Sequence, residues 1–213
     1  MPRLSDQTRA TRRRHILTSA WGCFSRNGFQ ATSMDEVIAA SGMSSSAVYR
    51  YFSGKDELID ATAGEGLALI RDLFARALAE DPVPTASDIL TLLVSDVRSH
   101  TENPDYDLSR IAIQTWAEAM RRPALREATR QLYLEAREQL TLLARRWQRE
   151  GCLAENADPR ATATVLFTLL PGLIVSHHLV DPIPVEVLNQ GIPALADALT
   201  SRKVTETETP SST

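Results

Sequence analysis

The chain has 213 residues, 43% of them apolar and 23% charged, with 23 Lys and Arg against 27 Asp and Glu for a net charge of −4. That composition suits one large or two small globular domains and excludes a wholly disordered chain. The charge is nevertheless split: residues 1–55 carry eight basic and three acidic side chains, net +5, and the remainder carries −9. A basic module on an acidic body points to a polyanionic partner, although a solvated helix bearing an Arg run has the same signature.

The longest apolar stretch, residues 165–175, is broken by Thr168, Pro171 and Gly172. It falls short of the ~20 residues that span a bilayer, so no membrane segment is expected. The first fifteen residues lead into a mixed helix instead of an apolar signal core, and a cytoplasmic protein is expected. Cys23 and Cys152 lie far apart and outside any metal-ligand spacing, which predicts reduced thiols. The adjacent His177 and His178 point to different helix faces, so neither a metal nor a cofactor is expected.

Prolines and glycines cut the chain into helical segments, and no stretch alternates with β-branched enrichment. The expected fold class is all-α, with about nine helices. The first covers residues 6–27, with Ile16, Leu17, Ala20 and Phe24 on one face and Gly28 as its C-cap. Ser33-Met34-Asp35-Glu36 reads as a capping box opening the second helix, whose inner stripe is Met34, Val37 and Ile38. Gly42 supplies a turn, and a short third helix covers residues 44–52. The fourth follows Ser53-Gly54-Lys55-Asp56 and runs to residue 79, with Gly64 and Gly66 inside it. Either a close helix crossing or a hinge would explain those glycines. Further helices are expected over residues 86–101, 108–120 and 123–150, then from Asp158-Pro159 to residue 179, and over 185–201. The tail from Lys203 is polar and expected to fray.

Residues 33–52 have the layout of a helix-turn-helix. In the second of its helices Val48 and Phe52 face inward with Met43, leaving a small outer face of Ser, Ala, Tyr and Arg. Such a face lets the backbone approach a groove floor while Tyr and Arg reach phosphates or base edges. A surface helix with amphipathic tyrosines would look the same.

The segment from Thr11 to Leu58 holds Ile16-Leu17, Ala20, Phe24, Gly28-Phe29, Thr32-Ser33-Met34, Ile38-Ala39, Ser41-Gly42, Ser44, Val48-Tyr49-Arg50-Tyr51-Phe52, Lys55 and Leu58. In this combination the segment resembles the N-terminal domain of the TetR-type (tetracycline-repressor-like) transcriptional regulators. Ser46 stands where that family usually has Gly. The resemblance implies that Thr32 and Ser33 touch the DNA backbone, and that Tyr49, Tyr51 and Lys55 anchor phosphates. It places Ser44, Ser45, Ser46 and Arg50 in or beside the major groove, with Arg12, Arg13 and Arg14 adding flanking contacts. It also implies a DNA-binding domain over residues 10–70, an effector-binding and dimerisation domain over 71–203 and a flexible tail over 204–213.

The eighth and ninth segments carry apolar stripes: Leu166, Leu169, Leu170, Leu173 and His177, then Leu188, Ile192, Leu195 and Leu199. Stripes of this spacing suit helix packing, either between two chains or in closing the core of one. The resemblance implies the former: a homodimer whose interface includes Leu166, Leu169, Leu173, His177, Leu188, Ile192, Leu195 and Leu199, reading a palindromic double-stranded operator. It further implies a pocket for a small-molecule effector, with Phe74, Leu78, Leu92, Trp116, Met120, Tyr133, Arg137, Phe167 and Leu170 as candidate lining. The function so expected is that of a repressor released from its operator by that effector. The rivals are a helical protein- or lipid-interaction module with a basic end, and an enzyme. For the latter the chain offers no G-x-S-x-G, Walker A, G-x-G-x-x-G or H-E-x-x-H pattern.

Overall fold

The computed structural model describes residues 6–200, apart from the side chains of residues 67 and 196–200. The segment 204–213 and the side chain of Leu199 therefore lie outside the described residues. Those described form nine helices: α1 (Asp6–Ala31), α2 (Met34–Ser41), α3 (Ser45–Tyr49), α4 (Lys55–Ala79), α5 (Ala86–Thr101), α6 (Leu108–Ala119), α7 (Pro123–Arg149), α8 (Pro159–Leu179) and α9 (Val185–Thr200). The fold is all-α, with no strand among the described residues.

Local chemistry sets most of the boundaries. At α2 the Ser33 hydroxyl accepts from the Glu36 amide (3.2 Å) and the Glu36 carboxylate accepts from the Ser33 amide (2.7 Å), a complete capping box. Thr85 and Asp88 repeat the arrangement at α5. Asp107 caps α6 by accepting from the Ser109 and Arg110 amides, and proline opens both α7 and α8. The end of α4 is closed from a distance: Arg146 of α7 donates to the carbonyls of Leu78 (3.0 Å) and Glu80 (2.5 Å). A cation on the last carbonyls of a helix also matches the negative end of its dipole.

Two apolar clusters result. The first gathers Ile16, Leu17, Ala20, Trp21 and Phe24 of α1 with Val37, Val48, Phe52, Leu58 and Ile59. It also draws in Ile111 and Ala119 of α6 and Leu125 of α7. The second is built from Phe74, Ala77, Ile89, Leu93, Leu140, Leu143, Trp147, Leu166, Leu170 and Leu173 on α4, α5, α7 and α8. Trp147 is buried there and donates its indole N–H to the Pro84 carbonyl (2.6 Å), so its bulk enters the core without an orphaned donor. Helix α4 contributes to both clusters. With 25 residues it is a rod of about 38 Å between them.

Several expectations need correction. Gly28 breaks the first helix as expected, with φ 84° and ψ 163°, but a further turn beyond the kink carries the α1 span on to Ala31. Helix α3 stops at Tyr49 because the Tyr51 amide bonds back three residues to Val48 (2.9 Å), tightening the chain into a turn. A Cβ added at Gly64 or Gly66 meets no atom within 4 Å, so no crossing helix requires those glycines. Helix α8 is long and apolar enough by length and composition to cross a bilayer, with a mean hydropathy of 1.4. Its threonines, proline and glycine interrupt the apolar run without adding charge. In the fold one face of this helix packs into the second cluster.

The α8 stripe is also rotated from the one expected. Leu166 and Leu173 are buried in the core of the single chain together with Leu170, and Leu169 packs half-buried against it. The face left outside is Val165, Thr168, Gly172, Val175 and Leu179, spaced three and four residues apart. Among the α9 residues, Leu188 packs on the body and Ile192 and Leu195 are exposed, Leu195 at 60%. His177 is half-buried, its ring edge-on to that of His178.

Candidate DNA-contact surface and cavity

Helix α3 is anchored from below by Val48 and Phe52, both fully buried, with Met43 half-buried beside them. Its outer face carries Ser44, Ser45, Ser46, Tyr49 and Arg50, all exposed. The Ser44 hydroxyl caps the helix at the Ala47 amide and lies 3.3 Å from that of Ser46. Tyr49 and Arg50 have no hydrogen bond or ion pair to the described residues, so their polar ends face solvent unspent. Tyr51 is half-buried against the first cluster. Lys55, at the start of α4, donates to the Gln30 carbonyl at 3.0 Å, which leaves two of its three protons outward.

Thr32 is placed differently from expectation. It is 1% exposed, and both its hydroxyl (2.8 Å) and its amide (3.2 Å) donate to the Gly28 carbonyl. In the single chain these bonds hold the turn between α1 and α2. Ser33 is exposed, although its hydroxyl is engaged with Glu36. The arginine run divides as well: Arg13 lies over the Phe52 ring and near Glu65, and Arg14 also pairs with Glu65. Arg12 alone of the three is an exposed cation without such a contact.

Two acids on this basic surface, Glu36 and Glu57, are committed to the backbone. Hydrogen bonds from the Ser33 amide and hydroxyl hold the Glu36 carboxyl below the usual range, and those of Ser53 do the same for Glu57. Each carboxylate thus closes a turn instead of standing free as a repulsive charge toward a polyanion.

Helix α6 joins this head to the rest of the chain. Its Gln114 reaches the break at Gly28, accepting from the Phe29 amide (2.7 Å) and donating to the Phe24 carbonyl (3.0 Å). One turn on, Glu118 accepts from the side chains of Gln30 (3.1 Å) and Arg121 (2.7 Å). Arg122 bonds Asp60 of α4 at 2.9 Å. Sequence reasoning missed Gln114, whose partners lie 85 and 90 residues away and leave no local signal.

The other side of α6 lines a cavity of ≈ 640 Å³, counting space open to solvent, between α4, α5, α6, α7 and α8. Of the expected lining, Trp116, Tyr133 and Leu170 are there. Phe167 stands edge-on to the Tyr133 ring at 5.2 Å without reaching the cavity wall. Phe74 is core, Leu78 and Leu92 pack on that core, and Arg137 is half-buried on α7 away from the wall. Met120 is 83% exposed, because α6 ends at Ala119 and the next side chain turns outward. In their place the wall includes Thr62 and Gly66 of α4, Asp96 and His100 of α5, and Ser109 and Thr115 of α6.

Polar groups cluster at the Asp96 end. His100 donates through Nδ1 to the Asp96 carbonyl (2.8 Å), with the Asp96 carboxylate 3.4 Å away, and this partner raises the imidazole pKa against the effect of burial. The Ser109 hydroxyl donates to Asp107 (2.5 Å), which leaves His178 Nε2 to donate to the Ser109 oxygen (2.6 Å). Burial pushes the His178 pKa down, with Asp107 opposing. Trp116 donates its indole N–H to the Tyr133 oxygen. Burial pushes the Tyr133 hydroxyl up to about 12.

Comparison with known proteins matches both ends of the chain. Residues 16–62 match the model for bacterial regulatory proteins of the tetR family, and residues 92–201 that for the C-terminal part of BetI-type transcriptional repressors. The regulator UidR of Escherichia coli K12 is 24% identical over 196 residues, 92% of this chain and 95% of UidR. The repressor Rv1474c of Mycobacterium tuberculosis is 28% identical over 131 residues, a match spanning 55% of this chain and 63% of that protein. Among solved structures, GusR of Salmonella enterica superposes with a TM-score of 0.66 at 24% identity, covering 87% of this chain and 95% of GusR. A transcriptional regulator of Saccharomonospora viridis, solved in complex with choline, superposes at 0.67 with 20% identity, covering 88% of this chain and 96% of its own. With its helix-turn-helix and its helical body both accounted for, the chain belongs to the TetR family of DNA-binding transcriptional regulators.

Proposed function

We propose that this regulator binds a palindromic operator as a homodimer and is released when a small molecule fills the cavity. On this reading residues 10–70 form the DNA-binding domain, residues 71–203 sense the effector and dimerise, and the protein works in the cytoplasm. The observation that carries the DNA contact is the outer face of α3, where Arg50 and Tyr49 are exposed and unspent above a fully buried Val48 and Phe52. Ser44, Ser45 and Ser46 keep the start of that helix narrow enough for a groove floor, and Lys55 and Tyr51 lie toward the phosphates.

Two supports favour a dimer. The apolar stripe of Val165, Val175 and Leu179 on α8, with Ile192 and Leu195 on α9, is exposed in the single chain. A single recognition helix also reads too few bases, whereas two related by a twofold axis read half-sites about 34–36 Å or more apart. Release is supported by α6, which lines the cavity with Trp116 and holds the head with Gln114.

Anisotropy titration on DNA from the chain's own upstream region tests the reading. A palindromic site is expected, bound with dimer stoichiometry. Arg50→Ala should change the preference between site variants, and Lys55→Ala should weaken all of them and reduce the salt slope by about 0.9. Binding that ignores sequence would refute the operator. An unchanged salt slope in folded Lys55→Ala would remove Lys55 from the phosphate contacts.

A further inference from the structure

The polar atoms of the cavity specify the ligand more narrowly than its apolar walls do. Among the described residues no Lys or Arg lines it, so an anion finds no free cation on this wall. The ionisable groups on the wall are Asp96, His100 and Tyr133. Asp96 and His100 face each other, carboxylate to imidazole at 3.4 Å, so the carboxylate already has a partner within the wall. A cation therefore meets a carboxylate that is already matched. Tyr133 stays protonated.

Two hydroxyls remain unspent. The Thr62 oxygen is buried, in a residue 1% exposed, and has no hydrogen-bond partner. This is unusual for a threonine within a helix, where the hydroxyl normally bonds back to a carbonyl one turn earlier, as Thr115 does to Ile111 (2.9 Å). The Tyr133 oxygen accepts from Trp116, and its own proton has no acceptor among the described residues. A buried hydroxyl without a partner, as at Thr62, costs stability, and Thr62 and Tyr133 both line the same cavity.

We propose, resting on the reading of the cavity as the effector site, that it takes a neutral, mainly apolar molecule bearing an oxygen that accepts the Tyr133 proton and bonds the Thr62 hydroxyl. The apolar remainder of that molecule lies along Leu69, Ile70, Val97, Ala112 and Ile174. Recognition comes from filling two hydrogen-bonding vacancies in an apolar space, with no net charge to neutralise.

Titration calorimetry with three probes sharing a chain length tests this: octan-2-one, octanoate and octyltrimethylammonium. Octan-2-one should bind at least about tenfold tighter than either charged probe. Tyr133→Phe and Thr62→Val should each weaken octan-2-one by about tenfold, the loss of one buried hydrogen bond, and leave the charged probes unaffected. Thr62→Val is a near-isostere that removes a hydroxyl with no partner, so it should fold at least as well as the parent. Equal or tighter binding of a charged probe, or indifference of octan-2-one to both substitutions, overturns the proposal. An operator-release assay run alongside separates the two readings. Octan-2-one bound through both hydroxyls without DNA release leaves the ligand class standing and removes the effector role. A charged probe that binds and releases DNA does the reverse, and no binding by any probe at millimolar concentration overturns both.

Discussion

Replacing Gln114 by Met tests how the head is held to the body. Where Gly28 breaks α1, its ψ of 163° carries the Phe29 amide away from the helical path, and Gln114 supplies that amide with an acceptor. The same side chain donates to the Phe24 carbonyl. Methionine has nearly the length and volume of glutamine, so Gln114→Met removes the two bonds while keeping the packing. The Phe29 amide belongs to a residue 3% exposed, and orphaning such a donor costs about 1–3 kcal/mol. The carbonyl, with two lone pairs, costs less, so the total should be about 2–3 kcal/mol. Urea unfolding at fixed chain concentration, followed by far-UV circular dichroism, gives this as a lower midpoint at unchanged slope. Gln114→Glu is the internal control. Its ionised form accepts from Phe29 but repels the Phe24 carbonyl, and its protonated form donates again, so its deficit should shrink as pH falls through the carboxyl titration. A loss under about 0.5 kcal/mol for Gln114→Met would refute the clasp.

Three other outcomes are expected. Gly28→Ala should lower the melting temperature, because φ +84° strains any L side chain by about 1–3 kcal/mol; the nearest atom to the new Cβ, Gln114 Oε1 at 3.6 Å, is an ordinary contact, so a clash is not the cause. Gly64→Ala should raise the melting temperature, by up to ~1 kcal/mol of stability, since the methyl enters open space in the middle of α4; a drop would mean that the glycine serves close packing after all. In an NMR titration His100 should protonate above the ordinary 6.5 and His178 below it. The stabilisation from His100 is then full below about 6.5 and lost as pH rises through its raised value, while His178 weakens the fold as pH falls below about 6.5. The reverse order of the two would refute both assignments.

What was legible in the sequence was local. The Ser33–Glu36 capping box lies within four consecutive residues and is legible there, as are the start of α8 at Asp158-Pro159 and the bounds of α5. Gly28 is legible as a break, whereas the side chain that caps the far side of that break, Gln114, lies far along the chain. The stripe on α8 shows the limit of periodicity. Val165, Leu166, Leu169, Leu170 and Leu173 supply apolar residues on more than one face, and only the packing of α5 and α7 decides which face turns inward. The cavity was the least legible part. Its polar wall groups, Thr62, Asp96 and His100, look in sequence like ordinary helix residues, whereas the large side chains that suggest a pocket mostly fill the core.

The three tryptophans fall in three separate places. Trp21 lies in the head edge-on to Tyr106 at 5.1 Å, Trp116 on the cavity wall, and Trp147 at the far end beside Pro84. Nothing has to be attached to this protein to follow it optically. Variants keeping one indole at a time would report emission from the DNA-binding end, the ligand space and the base of the body separately. The order in which those signals change after mixing would show which end of the molecule moves first.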